Sequence, residues 1–182
     1  MTDNRYVLPK YGVVHLIDEI DSESASGVIM GLYEAYHVTQ AKEEDVTRIE
    51  LLISTDGGGL QDSLAIADAI YDIRGRDVTV TGIVLGRCSS GGITVLQACS
   101  HRLAMPQAWL GVHGLVDSPS GDARVLAAEM AYNERLIEQQ LDLLVTRTRM
   151  GADYWAPFLR DQIVQRFSAA EAAEVGLIDA VV

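Results

Sequence analysis

The sequence predicts an α/β fold in which the strands of one sheet run parallel and helices connect them. Two patterns carry this prediction. Short apolar runs rich in β-branched residues alternate along the chain with longer stretches whose apolar residues recur at helical spacing. Parallel strands need a crossover connection, and a helix between successive strands supplies it. The length of 182 residues and the hydrophobic content of 48% fit a single domain with its own core.

The predicted elements alternate in order along the chain. The predicted strands cover residues 11–17, 49–54, 78–85, 102–105 and 109–113. The predicted helices cover residues 22–39, 60–74 and 90–99. The first two helices have apolar residues on one face, the third is expected to be buried, and Ser22 is the predicted N-cap of the first.

A long amphipathic run over residues 122–149 interrupts this alternation. A helix of that length is about 40 Å long, which is too long to bury against a small domain alone. Two interpretations stay open: a surface helix with frayed ends, or a helix whose apolar face is covered by another subunit. The apolar positions of that face include Val125, Ile137, Leu141 and Leu144.

Composition argues against several classes of function. The formal net charge is −12, and Lys10 and Lys42 are the only lysines, which disfavours nucleic acid as a partner. The longest apolar stretches are too short to cross a membrane, and no signal peptide is recognised. Cys88 and Cys99 are too few for a secreted disulfide scaffold, so we expect a reduced, cytoplasmic setting. We expect no cofactor and no bound metal.

Three glycine-containing segments, each at the end of an apolar run, carry the candidate chemistry. Residues 53–59 read Ile-Ser-Thr-Asp-Gly-Gly-Gly, residues 85–92 read Leu-Gly-Arg-Cys-Ser-Ser-Gly-Gly, and residues 111–114 read Gly-Val-His-Gly. Together they supply a turn with free backbone N–H groups, a serine on a tight strand-to-helix turn, and a histidine at a strand end. An acyl-transfer site needs these three parts as oxyanion hole, nucleophile and base.

The order and spacing of these segments resemble the proteolytic subunit of the Clp protease (ClpP), a self-compartmentalised serine peptidase of the crotonase-like superfamily. That family carries a Ser-Pro-Gly-Gly turn, a Gly-x-Ala-Ala-Ser-Met-Gly turn and a His-Gln-Pro segment, which fall here on residues 55–58, 86–92 and 113–115. The C-terminal residues 167–179 resemble the family's closing segment, so the likeness covers roughly residues 11–182.

The resemblance implies a ClpP/crotonase-like fold of repeated βαβ units, with residues 1–182 forming one peptidase domain. About residues 11–121 and 161–182 would form the head. The helix at about 122–149 would be the family's handle, which interdigitates with a facing subunit.

The resemblance also assigns the main catalytic roles. Ser90 would be the nucleophile, and His113, which follows 23 positions later as in the family, would be the base. Ser89 falls on an alanine of the family motif and is the weaker choice. Judged without the resemblance, a serine at such a turn is most often an N-cap, so this alternative stays open for both serines.

Glycines would supply the oxyanion hole and the substrate-binding edge. The oxyanion donors would be the N–H groups of Gly58 and Gly91. Gly91 stands where the family has methionine, a change that keeps the backbone donor. An extended peptide would lie as an added strand beside the edge formed by Gly57, Gly58, Gly59 and Leu60.

The third catalytic residue is where the sequence departs from the family. Laid on the family without a gap, the position of its orienting aspartate is Val164, which cannot hold an imidazole. Asp161 could substitute if the loop differs, and Asp117 is another nearby carboxylate; both could equally be solvated surface acids. The family's acidic–Arg pair that bridges two rings falls on Gln162 and Ile163, which puts ring-to-ring coupling in doubt.

The resemblance implies partners and leaves rival functions open. The partners would be copies of the chain in a heptameric ring, single or stacked as a tetradecamer, and a peptide or unfolded protein as substrate. Only residues 1–10 precede the first predicted strand, so dependence on an AAA+ unfoldase is doubtful. A catalytically inactive ring subunit is the first alternative, and a crotonase-type acyl-CoA enzyme is the second.

Overall fold

The computed structural model describes residues 7–8, 12–41, 48–115, 122–161 and 163–182. Its strands are β1 (Val7–Leu8), β2 (Val13–Ile17), β3 (Arg48–Thr55), β4 (Thr79–Ser89), β5 (His101–Ala104), β6 (Trp109–Val112), β7 (Gln165–Ser168) and β8 (Ala180–Val181). Its helices are α1 (Ser22–Ala41), α2 (Leu60–Arg74), α3 (Gly91–Ala98), α4 (Ala123–Arg147), α5 (Ala152–Arg160) and α6 (Ala169–Val175).

The described strands form one mainly parallel sheet in the order β1-β2-β3-β4-β5-β8, with β6 pairing with β4 and β7. The pairs β2–β3, β3–β4, β4–β5, β4–β6 and β5–β8 are parallel. Only β1–β2 and β6–β7 are antiparallel among the described pairs. Helices α1, α2 and α3 are the crossovers that the parallel pairs require. The predicted α/β fold of βαβ units is therefore confirmed.

Strand β4 is longer than predicted because a glycine bends it without ending it. Gly86 has a φ of 73°, and the register with β3 shifts between Ile53 and Thr55, as expected for a bulge. The first half of β4 pairs with β5, and its last residues, 87–89, pair with β6. After the bend, the last residues of β4 lie beside β6, so that Ser89 is paired with Gly111.

One face of the sheet is more deeply buried than the other. In β2 and β3, buried residues such as Leu16 and Leu51 alternate with half-buried ones such as Ile17 and Leu52. The buried face packs in a core with apolar residues of α1, α2 and α3. The half-buried face keeps apolar side chains partly in contact with solvent.

The first helix is capped by a different residue from the predicted one. Ser24 N donates to Asp21 Oδ1 at 2.7 Å, and Asp21 N donates to Ser24 Oγ at 2.9 Å. This reciprocal pair makes Asp21 the cap, whereas Ser22 is already the first residue of α1.

The predicted long helix is confirmed as α4, with shorter bounds. Asp122 accepts hydrogen bonds from Arg124 N and Val125 N and caps the helix, which ends at Arg147. The apolar face that we expected to be open is largely covered by the chain itself: Leu144 is buried, and Ile137 and Leu141 pack against the core. The large apolar residues of α4 that remain exposed are Val125, Met130, Tyr132 and Val145.

Helix α5 was not predicted. It contributes Trp155, which is fully buried and meets Phe167 of β7 in an edge-to-face contact of 6.0 Å between ring centroids. Asp117 and Gln162, two positions that the sequence analysis considered, fall outside the described residues. Of the helices in the described ranges, none combines the length and the apolar character needed to cross a bilayer.

Candidate active site

The glycine turn between β3 and α2 forms one wall of the site. Ile20 N donates to Gly57 O at 2.8 Å, and Gly59 N donates to Ile20 O at 2.7 Å. In a parallel bridge of this kind, the middle residue turns its own N–H and C=O to the opposite side. The backbone groups of Gly58 therefore face away from Ile20.

Both of the first two glycines of this turn are required by their backbone. Gly57 has a φ of 102° and Gly58 a φ of 148°, a region that favours glycine. A Cβ on Gly58 would lie 2.1 Å from Ile20 O, and one on Gly57 would lie 2.6 Å from the Cβ of Ser90. The turn is thus pressed directly against Ser90.

Ser90 lies at the junction of β4 and α3 in a strained conformation. Its φ of 52° and ψ of −123° are unusual for a residue with a side chain. Its N–H donates to Gly111 O at 2.9 Å, and its C=O accepts from Ile93 N at 2.9 Å. The Ser90 hydroxyl makes no capping bond to α3, so the N-cap alternative fails for this residue. Sharp strand-to-helix turns of this kind expose a nucleophile.

The neighbours of Ser90 are less suited to attack a substrate. The Oγ of Ser89 is turned toward Gly111, where a Cβ would lie 2.5 Å from it. Cys88 is fully buried, and burial raises the pKa of its thiol far above the usual range. Neither side chain is among those that line the cleft in front of Ser90.

The start of α3 supplies backbone donors beside Ser90. Gly91 is the first residue of this helix, whose first N–H groups have no partner within the helix. A Cβ on Gly91 would lie 2.2 Å from Ser63 Oγ, which donates to Gly59 O at 2.8 Å. The fully buried Ser63 hydroxyl thus occupies the space that a side chain at position 91 would need.

His113 follows the last residue of β6. Its Nδ1 lies 2.7 Å from Gly114 O. Because a carbonyl can only accept, this contact places the proton on Nδ1 and leaves the lone pair on Nε2. That tautomer is the one a general base needs. The hydrogen-bond partner of Nδ1 is thus a backbone carbonyl, whereas the sequence analysis had considered the carboxylates of Asp161 and Asp117.

The carbonyl of Gly114 is fixed by helix α5. Gly114 N donates to Phe158 O at 2.8 Å, and a Cβ on Gly114 would lie 2.0 Å from Leu159 O. Position 114 therefore has to be glycine. The signal in the sequence was the glycine that replaces glutamine in the family's His-Gln-Pro segment, but only the placement of α5 gives it meaning.

The register of β6 and β7 runs toward His113 and Val164. Trp109 pairs with Ser168, and Val112 pairs with Gln165. His113 and Val164 come one residue beyond the last pair, Val112 with Gln165, so the same register, if continued, would set them opposite each other.

Val164 and Asp161, the two positions considered for the orienting carboxylate, are exposed to solvent. Val164 has 49% of its surface exposed, so this position is far from a sealed apolar pocket. Asp161 is exposed at the C-terminal end of α5, and its N–H donates to Pro157 O at 3.1 Å. The orienting role of Asp161 remains a prediction.

The candidate residues surround one cleft of about 440 Å³. Its lining includes Gly58, Leu60, Ser90, Gly91 and His113. The far wall is formed by residues of α4, including Leu136 and Gln140. The fold thus brings together the glycine turn, the strained serine and the histidine, and it adds α4 as a wall.

One ion pair ties the glycine turn to the serine turn. Arg87 Nε lies 2.9 Å from Asp56 Oδ2. Asp56 stands where the family has proline, and its negative charge would otherwise disfavour an anionic intermediate nearby. The guanidinium of Arg87 offsets that charge, although both groups are at least half exposed. Within the described ranges, no group of histidine, cysteine and acidic residues is placed to hold a metal ion.

Comparison with known proteins decides the family. The family model described as Clp protease matches residues 2–182. The chain belongs to the Clp protease family. It is 30% identical to the ATP-dependent Clp protease proteolytic subunit 2 of Cutibacterium acnes, over 98% of this chain and 81% of that protein.

Other matches extend the comparison within the Clp protease family. The chain is 28% identical to the proteolytic subunit-related protein 2 of Arabidopsis thaliana chloroplasts, over 76% of this chain and 49% of that protein. It thus spans about half the length of that relative. A point mutant of ClpP1 from Listeria monocytogenes superposes with a TM-score of 0.80 at 22% identity, over 96% of this chain and 93% of that one. This likeness confirms the ClpP fold.

Proposed function

We propose that this Clp protease family member is a serine endopeptidase that cleaves peptides or unfolded proteins by acyl transfer through Ser90. The observation that carries the proposal is the strained conformation of Ser90 at the start of α3, in one cleft with His113 and the Gly58 and Gly91 backbones. Strain of about 1–3 kcal/mol persists where packing enforces it and is concentrated at functional sites.

The chemical steps follow from the tautomer of His113. Nε2 takes the proton of Ser90 Oγ as the oxygen attacks the substrate carbonyl carbon, and the imidazolium then gives this proton to the leaving amine as the C–N bond breaks. Water repeats the sequence on the acyl-enzyme and releases the acid product. Gly114 O holds Nδ1–H throughout. A neutral carbonyl stabilises the imidazolium less than a carboxylate does, so we expect slow turnover.

The oxyanion would be held by the N–H groups of Gly58 and Gly91. The Gly58 groups face away from Ile20, and Gly91 is the first residue of α3, where backbone donors are free. A substrate in extended conformation would pair with the free edge of residues 57–60 as an added strand.

A fluorophosphonate probe tests this proposal, because it labels only an activated serine. We expect labelling and peptide hydrolysis by the wild type, complete loss of both in Ser90→Ala, and retention of at least part of both in Ser89→Ala. Labelling that survives in Ser90→Ala, or equal loss in both variants, would show that the nucleophile is wrong. Circular dichroism of each variant controls for folding.

An inactive ring subunit is the second candidate function, and the residue at position 164 favours it. Val164 stands where the sequence, laid on the family without a gap, has the family's aspartate, and valine cannot hold an imidazole. If neither the wild type nor a folded Val164→Asp variant is labelled or hydrolyses peptide, the inactive-subunit function is correct. Binding of coenzyme A would instead favour the acyl-CoA enzyme.

We further propose that the chain assembles into a ring, most simply a heptamer, with α4 as the handle. Met130, which is 66% exposed, and Val125 and Tyr132 form apolar surface on the first half of α4. The half-buried face of the sheet, with residues such as Ile17 and Leu52, is a second surface of this kind. Native mass measurement at micromolar concentration should give an oligomer, and a monomer would reject the proposal. Delivery of substrates by an AAA+ unfoldase is a separate expectation, which this assembly does not require.

A further inference from the structure

A second cavity adjoins the cleft in front of Ser90. This groove, of about 320 Å³, runs between α2 and α4. It shares Leu60, Leu136 and Gln140 with the cleft, so the two spaces are continuous. Near the cleft, Gln61 Nε2 donates to Tyr132 Oη at 3.1 Å and joins the two helices.

The walls of the groove are apolar over most of its length. On the α2 side they include Leu64 and Ala67, on the α4 side Leu143, and at the base Thr94 of α3. A long side chain entering from the cleft would lay its methylene groups along these residues. The groove therefore fits a side chain with an apolar stem.

Two carboxylates and one guanidinium line the groove. Asp68 of α2 and Asp142 of α4 line it and are exposed. Within the described part of the chain, neither carboxylate has an ion-pair partner. Arg147 also lines the groove, but its guanidinium donates to Gln97 O at 2.9 Å and to Cys99 O at 2.7 Å and is committed to the end of α3.

The helix geometry ranks the two carboxylates by their distance from the cleft. Asp142 is two residues beyond Gln140, or about 3 Å along the helix axis. Asp68 is eight residues beyond Leu60, or about 12 Å along α2. An extended arginine side chain reaches about 7 Å. Asp68 is thus beyond the reach of a side chain that enters beside Leu60, whereas Asp142 is the lining carboxylate nearer to the cleft.

We propose that this groove receives the side chain of the substrate residue whose carbonyl Ser90 attacks, and that Asp142 makes arginine or lysine the preferred residue there. The proposal rests on the peptidase function proposed above. Charge complementarity supports it, since the stem of either residue matches the apolar walls and its cationic head matches the carboxylate at the edge. The net charge of −12 favours the same substrates at longer range.

Binding to the full-length Ser90→Ala variant tests the groove without requiring turnover. Two fluorescent peptides, identical except for one arginine or its neutral isostere citrulline, are compared by polarisation, with a norleucine peptide as the apolar reference. We expect the arginine peptide to bind about threefold to fivefold more tightly than the citrulline peptide, the size of an exposed ion pair. The preference should fall as salt rises.

Three variants test which carboxylate causes the preference for the arginine peptide. Asp142→Asn should abolish the preference, and Asp68→Asn should reduce it less. Glu138→Gln removes the same charge from an exposed position of α4 that does not line the groove, so it should leave the preference intact. An equal or better affinity for the norleucine peptide, a preference that survives Asp142→Asn, or no binding of any peptide would overturn the proposal.

A second measurement separates this proposal from the peptidase function. Mass spectrometry of a peptide library digested by the wild type maps the cleaved bonds. Cleavage without enrichment of arginine or lysine before the cut would overturn the groove proposal and leave the peptidase function standing. Selective binding by the Ser90→Ala variant, with no cleavage by the wild type, would support the groove as a binding site and reject the peptidase function.

Discussion

The two halves of the candidate site differ in how firmly the fold holds them. On the Ser90 side, the glycine turn is hydrogen-bonded to Ile20 and packed against Ser90. The buried Ser63 occupies the space next to Gly91. On the His113 side, the hydrogen bond between Nδ1 and Gly114 O orients the ring, and nearby Val164 is half exposed.

This difference has a physical origin. The Ser90 side lies at the ends of buried parallel strands, where any shift creates backbone clashes in a close-packed interior. The His113 side lies at the end of the antiparallel β6–β7 pair, where side chains meet solvent and one residue type can replace another at small cost in stability. The chemistry of the nucleophile is therefore constrained by packing, whereas that of the base depends on which side chains stand beside it.

The largest expected effect comes from breaking the Ser90 side at Gly58. Gly58→Ala forces a side chain into a backbone region that disfavours it and to within 2.1 Å of Ile20 O. We expect the free energy of unfolding to fall by more than about 3 kcal/mol and hydrolysis to be lost. Gly151→Ala is the matched control, because a Cβ there meets nothing within 4 Å. Equal denaturation midpoints for the two variants would contradict this account of the turn.

The next effect is a gain on the His113 side. Val164→Asp should raise peptide hydrolysis at least tenfold, since a carboxylate beside His113 recovers part of the roughly 10⁴-fold effect of this role. Because position 164 is half exposed, the new charge should cost little stability.

Ile163→Asp is the control for this gain. Ile163 is equally exposed and adds the same charge one residue farther from β7, so hydrolysis should not rise if the position of the carboxylate matters rather than its charge alone. Asp161→Ala should change the rate little. A fast wild type that Asp161→Ala slows strongly would make Asp161 the orienting residue and the register at Val164 irrelevant.

A smaller effect distinguishes backbone from side-chain constraints beside Ser90. Gly91→Ala should lower hydrolysis about tenfold, because its Cβ would lie 2.2 Å from Ser63 Oγ. Adding Ser63→Gly removes the hydroxyl and should restore part of the rate. A double variant no faster than the single one would show that the backbone itself, and not Ser63, excludes a side chain there.

The smallest expected effect is a pH dependence of the free energy of unfolding, which arises from the ion pair of Arg102 and Asp179. Burial raises the pKa of Asp179, but hydrogen bonds from Arg102 and its positive charge outweigh burial and hold this pKa below its usual 3.8. The buried Arg102 also donates to Gln97 Oε1 at 2.6 Å, at the far end of α3.

The sign of the dependence follows from this depressed pKa. The pair stabilises the fold above about pH 4, and this contribution is lost as pH falls through the folded pKa of Asp179. Asp179→Asn should therefore be less stable than the wild type at pH 7 by about 1 kcal/mol or less, because the carboxylate is 40% exposed and solvent screens its charge. Thermal unfolding at pH 7 and pH 3 should show that the gap between the two proteins narrows in acid. A gap that stays constant would mean that ionisation of Asp179 does not matter.

The motif chemistry could be predicted from the sequence because it is local. The glycines of the turn at 57–59, the serine turn and the histidine depend on φ/ψ preferences and spacing within a few residues. The alternation of strands and helices could also be predicted, because it depends on local apolar patterns. The resemblance to the family rests on the glycine, serine and histidine segments. Helix α5 was missed, since it is only nine residues long and carries Pro157, which normally argues against a helix interior.

The sequence by itself thus determined the fold class, the order of the elements and the candidate pair Ser90 and His113. Only the tertiary structure decided that Gly114 O meets Nδ1, that β6 and β7 pair in a register that runs toward His113 and Val164, and that a groove lies between α2 and α4. The reason is that these contacts join segments far apart in the chain. Their geometry is set by strand register and helix packing, which no local pattern of residues encodes.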